Sequence, residues 1–171
     1  MRVAKIEKHS IANGPGVRTV VWCQGCSIHC QGCHNKETWD PDGGDTLKLY
    51  DKVMILDSLN NTYVDGLTFS GGHPLEEYNI DGVLELAEMI REKFHFDKTI
   101  WLYTGLEVTY NMIISDTTTG QLLRMCDVVV DGPFIEAQRD LRLPYCGSSN
   151  QRVIDIRQTL LNKEITLYEE Q

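Results

Sequence analysis

The sequence predicts an α/β fold, part of a (β/α) barrel with a mostly parallel sheet and crossover helices, and three observations lead there. Short apolar runs, β-branched or aromatic, alternate with longer segments of helical periodicity, the ordering that favours parallel strands joined by helices. Loops of Gly, Pro, Ser and Asn stand at the ends of these runs. A complete eight-fold barrel needs ~250 residues. The 171 residues here suffice for part of one, organised as a single domain over 1–171.

Taken in order, the expected strands are residues 17–23, 67–70, 99–103, 127–130 and 153–156, each bounded by turn formers. A helix is expected to begin after Asp45 and to extend to about Asn60, with Leu49, Val53 and Leu56 turned inward. The clearest helix spans 81–94. There Val83, Leu86, Ala87, Ile90 and Phe94 follow the i, i+3, i+4, i+7 rhythm, while Glu85, Glu88, Arg91 and Glu92 take the opposite face. If the strands are parallel, the loops that follow the first three lie on one sheet edge, where α/β folds bind ligands.

Composition narrows the function classes. Hydrophobic content of 42% and charged content of 24% fit an ordinary globular chain. A formal net charge of −9 argues against nucleic acid, because phosphate binding needs a basic surface to release counterions. No apolar stretch approaches a bilayer span, and the N-terminus lacks the apolar core of a signal peptide, so a cytoplasmic protein without membrane contact is expected. In that reducing compartment six cysteines favour metal or redox use over disulfides; Cys126 and Cys146, which stand alone, read as structural. The acidic tail from Glu164 to Gln171 reads as a solvated end.

The chemistry concentrates in Cys26-Ser27-Ile28-His29-Cys30-Gln31-Gly32-Cys33, directly after the first strong strand. Three thiolates on a short loop can hold three corners of a cubane iron-sulfur cluster, leaving one iron open to a ligand. Cys23 keeps a second reading alive. With it, four thiolates fall within eleven residues, a set that would serve a non-catalytic zinc site or a fully ligated, electron-transferring iron-sulfur module. Cys23 ends an apolar run, however, where a cysteine can be a small buried hydrophobe.

Further segments stand in register with that loop. Asn13-Gly14-Pro15-Gly16 has the Pro-Gly order of a type II turn leading into the first strand. Ser70-Gly71-Gly72-His73-Pro74 ends the second strand with glycines, whose missing side chains admit close backbone approach to a ligand. Trp101-Leu102-Tyr103-Thr104-Gly105, Val130-Asp131-Gly132-Pro133-Phe134 and Gly147-Ser148-Ser149-Asn150-Gln151-Arg152 complete the series.

In this order, and covering nearly the whole chain, the segments resemble the glycyl-radical activating enzymes of the radical S-adenosylmethionine superfamily. The resemblance implies a partial barrel of the radical S-adenosylmethionine type. It also implies a [4Fe-4S] cluster on Cys26, Cys30 and Cys33, with S-adenosylmethionine chelated to the open iron and cleaved reductively to a 5′-deoxyadenosyl radical. That radical would take a hydrogen atom from a glycine of a partner protein. Since related activases for other enzymes are usually longer, the implied partner is the glycyl-radical subunit of an anaerobic ribonucleoside-triphosphate reductase, with a low-potential donor such as flavodoxin. Gly32, Cys33 and His34 would form the adjoining cofactor surface, Gly71 and Gly72 would face the methionyl end, and Thr104, Ser148, Ser149 and Asn150 would add contacts. No protein acid or base is expected to be catalytic, because the cofactor takes the hydrogen. Two positions depart from the family pattern: His34 replaces an aromatic residue and His73 an acidic one.

Overall fold

A computed structural model describes residues 1–169. Seven strands form one sheet in the order β3-β1-β2-β4-β5-β6-β7: β1 (Arg2–Ser10), β2 (Arg18–Cys23), β3 (Asp45–Thr46), β4 (Gly66–Gly71), β5 (Thr99–Tyr103), β6 (Val128–Asp131) and β7 (Arg152–Asp155). The four central strands β2, β4, β5 and β6 are parallel. Antiparallel pairings flank them, β1 with β2 and with β3 on one side and β7 with β6 on the other. The sheet is open, its edge strands β3 and β7 lying at opposite ends of the order. Five helices accompany it: α1 (Leu49–Leu59), α2 (Glu77–Phe94), α3 (Tyr110–Ile114), α4 (Thr118–Met125) and α5 (Ile156–Asn162). None of the helices is long and apolar enough to cross a membrane.

All five expected strands exist, displaced by at most one residue at either end. Period-two alternation sorts their side chains onto two faces. Val21, Cys23, Leu67, Phe69, Ile100, Leu102 and Val129 enter the main core with Val83, Leu86, Ala87 and Ile90 of α2, the stripe its periodicity predicts. The other face carries Trp101, Val128 and Val130, with Tyr103, Tyr145, Cys146, Val153 and Tyr168 packed against them.

Helix α1 corrects the expected phase. Leu49 and Val53 are exposed, Leu56 is only partly buried, and Ile55, Ser58 and Leu59 form the buried face. The Ser58 and Thr19 hydroxyls, 2.9 Å apart, tie this face to β2. The tail, read as a solvated end, does keep Glu164, Leu167 and Glu169 exposed, but its backbone is held against β7: Leu167 bridges to Ile154, and the Tyr168 N–H donates to the Val153 carbonyl at 2.8 Å. Glu170 and Gln171 lie outside the described residues.

At the edge where the parallel strands begin, Arg18 is fully buried. Its guanidinium donates to the hydroxyls of Thr68 and Thr99 and to the carbonyls of Leu67 and Thr99, and it lies over the Trp101 ring. Gly16, next to Pro15, has φ +68° and leaves no room for a Cβ, which would stand 2.1 Å from Asp65 Oδ2. The Asp65 carboxylate there accepts the Val17 N–H at 2.7 Å, closing the turn ahead of β2.

Candidate functional site

Because β2, β4 and β5 are parallel neighbours, their carboxyl ends deliver the cysteine loop, Gly71-Gly72 and Thr104-Gly105 to one edge. The three loops are packed closely there. The Gly72 N–H donates to the Cys23 carbonyl and the His73 N–H to the Gly25 carbonyl, both at 2.8 Å. A Cβ on Gly72 would stand 2.4 Å from the Gly25 carbonyl oxygen, and one on Gly105 would stand 2.5 Å from Ile28 Cδ1. Glycine is therefore required at position 72 for the loops to meet, because the clash there is with backbone, whereas at position 105 the end of the Ile28 side chain would have to move aside.

A cavity of about 630 Å³ opens between them, within the size range of small-molecule sites. Cys26, Cys30, Cys33, His34, Gly71, Gly72 and Thr104 all line it. The three cysteines are half-buried and carry free thiols. Among the described residues no three His, Cys, Asp or Glu side chains are grouped tightly enough to hold one metal ion. The donor set is thus three soft thiols distributed on the wall of a roomy cavity, which fits a cluster bound through separate corner irons.

Cys23 is not on that wall. It is fully buried in the main core, and burial pushes its thiol up to about 12. The four-cysteine set drawn from spacing is therefore divided by the fold: strand alternation sends Cys23 to the helix side, while the loop carries the other three to the cavity. Cys146, expected to be purely structural, does line the cavity, whereas Cys126 is buried beneath α4, its thiol pushed up by burial. In iron-free native protein kept reduced, a thiol-alkylating reagent is expected to modify Cys26, Cys30, Cys33 and Cys146, leaving Cys23 and Cys126 unmodified until denaturant is added. Mass mapping of the modified peptides checks this.

The remaining expected positions divide. Gly32 adopts φ +77° beside Glu136 and shapes the loop without lining the cavity. His34 is exposed at the cavity and lies 5.8 Å, ring to ring, from Phe134. Ser148, Ser149 and Asn150 are not on the wall. The Ser148 hydroxyl donates to Asn150 Oδ1 and accepts the Ile135 N–H, and the Asn150 amide donates to the Pro133 carbonyl, so the segment ties its own loop together. Its neighbours Gly147 and Gln151 reach the cavity instead, as do Trp22, Asn35 and Tyr103. Trp22 and Tyr103 were legible as strand residues; their cavity side follows from register, since Trp22 pairs with Ser70.

Comparison with known proteins places the chain in a family. The family described as "4Fe-4S single cluster domain" matches residues 12–154. The anaerobic ribonucleoside-triphosphate reductase-activating protein of Vibrio cholerae is 38% identical over 145 residues, 82% of this chain and 89% of that protein. The protein of the same name from Escherichia coli (strain K12) is 35% identical over 149 residues, covering 86% and 94%. That of Enterobacteria phage T4 is 31% identical over 153 residues, covering 90% and 93%. Similarity of this extent, running from the turn ahead of β2 through β7, means that the chain belongs to the family of anaerobic ribonucleoside-triphosphate reductase-activating proteins.

Proposed function

We propose that the protein activates an anaerobic ribonucleoside-triphosphate reductase by installing a glycyl radical on it, working as one domain of the radical S-adenosylmethionine type, an open partial barrel. The observation that carries this reading is the convergence of three half-buried thiols, Cys26, Cys30 and Cys33, on the same cavity as Gly71, Gly72 and Thr104. A [4Fe-4S] cluster and S-adenosylmethionine, when bound, supply the one-electron cleavage that allows a hydrogen atom to be taken from a glycine of the reductase.

The chain's own residues hold, orient and enclose. Cys26, Cys30 and Cys33 serve as the cluster ligands. The Cys26 N–H is anchored to the Trp39 carbonyl at 3.1 Å and the Gly25 N–H to the Thr38 carbonyl at 2.7 Å, so the loop enters the cavity at a fixed angle. The Gly71 and Gly72 backbone offers carbonyls to the methionyl end, His34 and Phe134 contribute flat surface, and Trp22, Tyr103 and Tyr145 supply apolar wall. No side chain is required as acid or base. A low-potential donor such as flavodoxin in the cytoplasm would supply the electron.

Protein reconstituted anaerobically with iron and sulfide, reduced and given S-adenosylmethionine is expected to release 5′-deoxyadenosine and methionine in equal amounts. With the reductase added, a glycyl-radical signal is expected by electron paramagnetic resonance. A fully assembled cluster that neither binds nor cleaves S-adenosylmethionine would refute the proposal.

A further inference from the structure

A hydrogen-bonded chain runs from the cysteine loop along the cavity wall to the residue after β5. Glu76 occupies the N-cap of α2, yet its side chain does not cap the helix. Its Oε1 accepts from the Ser27 N–H at 2.7 Å and the Ser27 hydroxyl at 2.6 Å, and it faces His73 Nδ1 at 3.2 Å. Across the ring, His73 Nε2 lies 2.8 Å from the Thr104 hydroxyl oxygen, which also accepts the Leu106 N–H at 3.1 Å. His73 and Thr104 are both buried and both line the cavity.

Counting protons fixes the direction of every bond in this chain. Burial works to raise the Glu76 carboxyl, but the hydrogen bonds from Ser27 and His73 outweigh it and hold the group below its ordinary value, so it is an acceptor only. The ring proton of His73 must therefore sit on Nδ1. Burial also lowers the His73 pKa against the opposing pull of Glu76, which leaves the ring neutral and Nε2 unprotonated at neutral pH. Nε2 then accepts, and the Thr104 hydroxyl gives its proton to it. A hydroxyl has one proton and two lone pairs. With the proton directed to His73 and one lone pair taken by Leu106, one lone pair is left without a partner among the described residues. A group able to donate or accept has been converted to an acceptor.

We propose that His73, fixed by Glu76, is a positioning residue that presents Thr104 as a hydrogen-bond acceptor to the methionyl amino group of S-adenosylmethionine. This rests on the reading of the cavity given above. It accounts for the histidine that follows Gly71-Gly72 where the family resemblance leads one to expect an acid: the carboxylate stands three residues later, turned to the cysteine loop, and an oriented neutral oxygen takes its place at the cavity. The same oxygen of Glu76 ties the cysteine loop to the glycine segment, so the acceptor is held in register with the thiols.

Two measurements test this. In unloaded protein labelled with ¹⁵N-histidine, the His73 ring is expected to show the Nδ1–H tautomer, and Glu76→Gln is expected to relax it toward a mixture. An Nε2–H tautomer in the parent protein would overturn the proposal, because the Thr104 proton would have no acceptor there. In cluster-loaded, unreduced protein, calorimetric titration with S-adenosylmethionine is expected to show about ten-fold or greater weakening for Thr104→Val, and near-parent affinity for Thr104→Ser, which restores the hydroxyl. Parent-like binding by Thr104→Val would overturn the inference and leave the proposed function standing. A loaded parent protein that binds no S-adenosylmethionine would overturn the proposed function and this inference with it.

Discussion

Alanine at Cys26, Cys30 or Cys33 is expected to abolish cluster retention and reductive cleavage of S-adenosylmethionine, whereas alanine at Cys23 is expected to leave both in place. The fold separates the two outcomes. Each of the first three cysteines is the sole thiol its part of the loop brings to the cavity, so with these three as the proposed ligands, removing one would leave only two thiolates to hold the cluster. Cys23 is fully buried against the helices, and its replacement removes only a small buried group at a cost of about 1 kcal/mol. Iron and sulfide stoichiometry, with the yield of 5′-deoxyadenosine, measures the effect; iron loss in Cys23→Ala would sink the ligand assignment. Cys146 provides the sharper control. It lines the same cavity, so it, and not Cys23, is placed to complete a fully ligated cluster. Retained cleavage in Cys146→Ala is the outcome that an open iron requires, and loss of the cluster would instead favour an electron-transfer role.

The parts of this arrangement that could be read from sequence are those where chemistry and chain periodicity coincide. Strands β2, β4 and β5 are apolar runs ending in cysteine or glycine loops, and their parallel order puts those loops on one edge. Strand β1 escaped notice because it is half-exposed: only Val3 and Ser10 are buried among residues that include Arg2, Lys5, Glu7 and Lys8. Helices α3, α4 and α5 span five, eight and seven residues, too few for a periodic stripe to emerge. In α1, Leu49, Val53, Met54, Ile55, Leu56 and Leu59 allow two apolar stripes, and contact with β2 decides between them. At the site the same limit appears as orientation. Sequence names the Ser148-Ser149-Asn150 segment, but only the fold shows its side chains bonded within their own loop while Gly147 and Gln151 face the cavity. Glu76 carries no local signature at all, since its role depends on α2 beginning beside the cysteine loop.

Arg18→Ala is expected to destabilise the protein by about 3–5 kcal/mol, a fall of roughly 10 °C or more in the apo protein's Tm for a chain of this size. Three losses combine. The guanidinium is fully buried without a carboxylate bonded to it among the described residues, and burial lowers its pKa to about 10. Neutral oxygens therefore do the work of a counterion: the Thr68 and Thr99 hydroxyls and the Leu67 and Thr99 carbonyls, which alanine would leave short of a donor. Truncation also empties a large volume against Trp101, whose ring is met edge-on by Tyr145 and Tyr168. Thirdly, Thr68 passes its own proton to the Asn13 carbonyl at 2.7 Å, so the turn that brings Ala12 and Asn13 to the cavity rim is anchored through Arg18. Arg18→Lys is expected to recover little, because an ammonium offers three donors and no planar fork for acceptors on two neighbouring strands. Arg18→Met, which fills the space without a buried charge, should fall between Ala and the parent. Thermal melts of the three variants order these contributions, and an alanine variant within 1 kcal/mol of the parent would mean that the sheet edge relaxes to satisfy itself without the guanidinium.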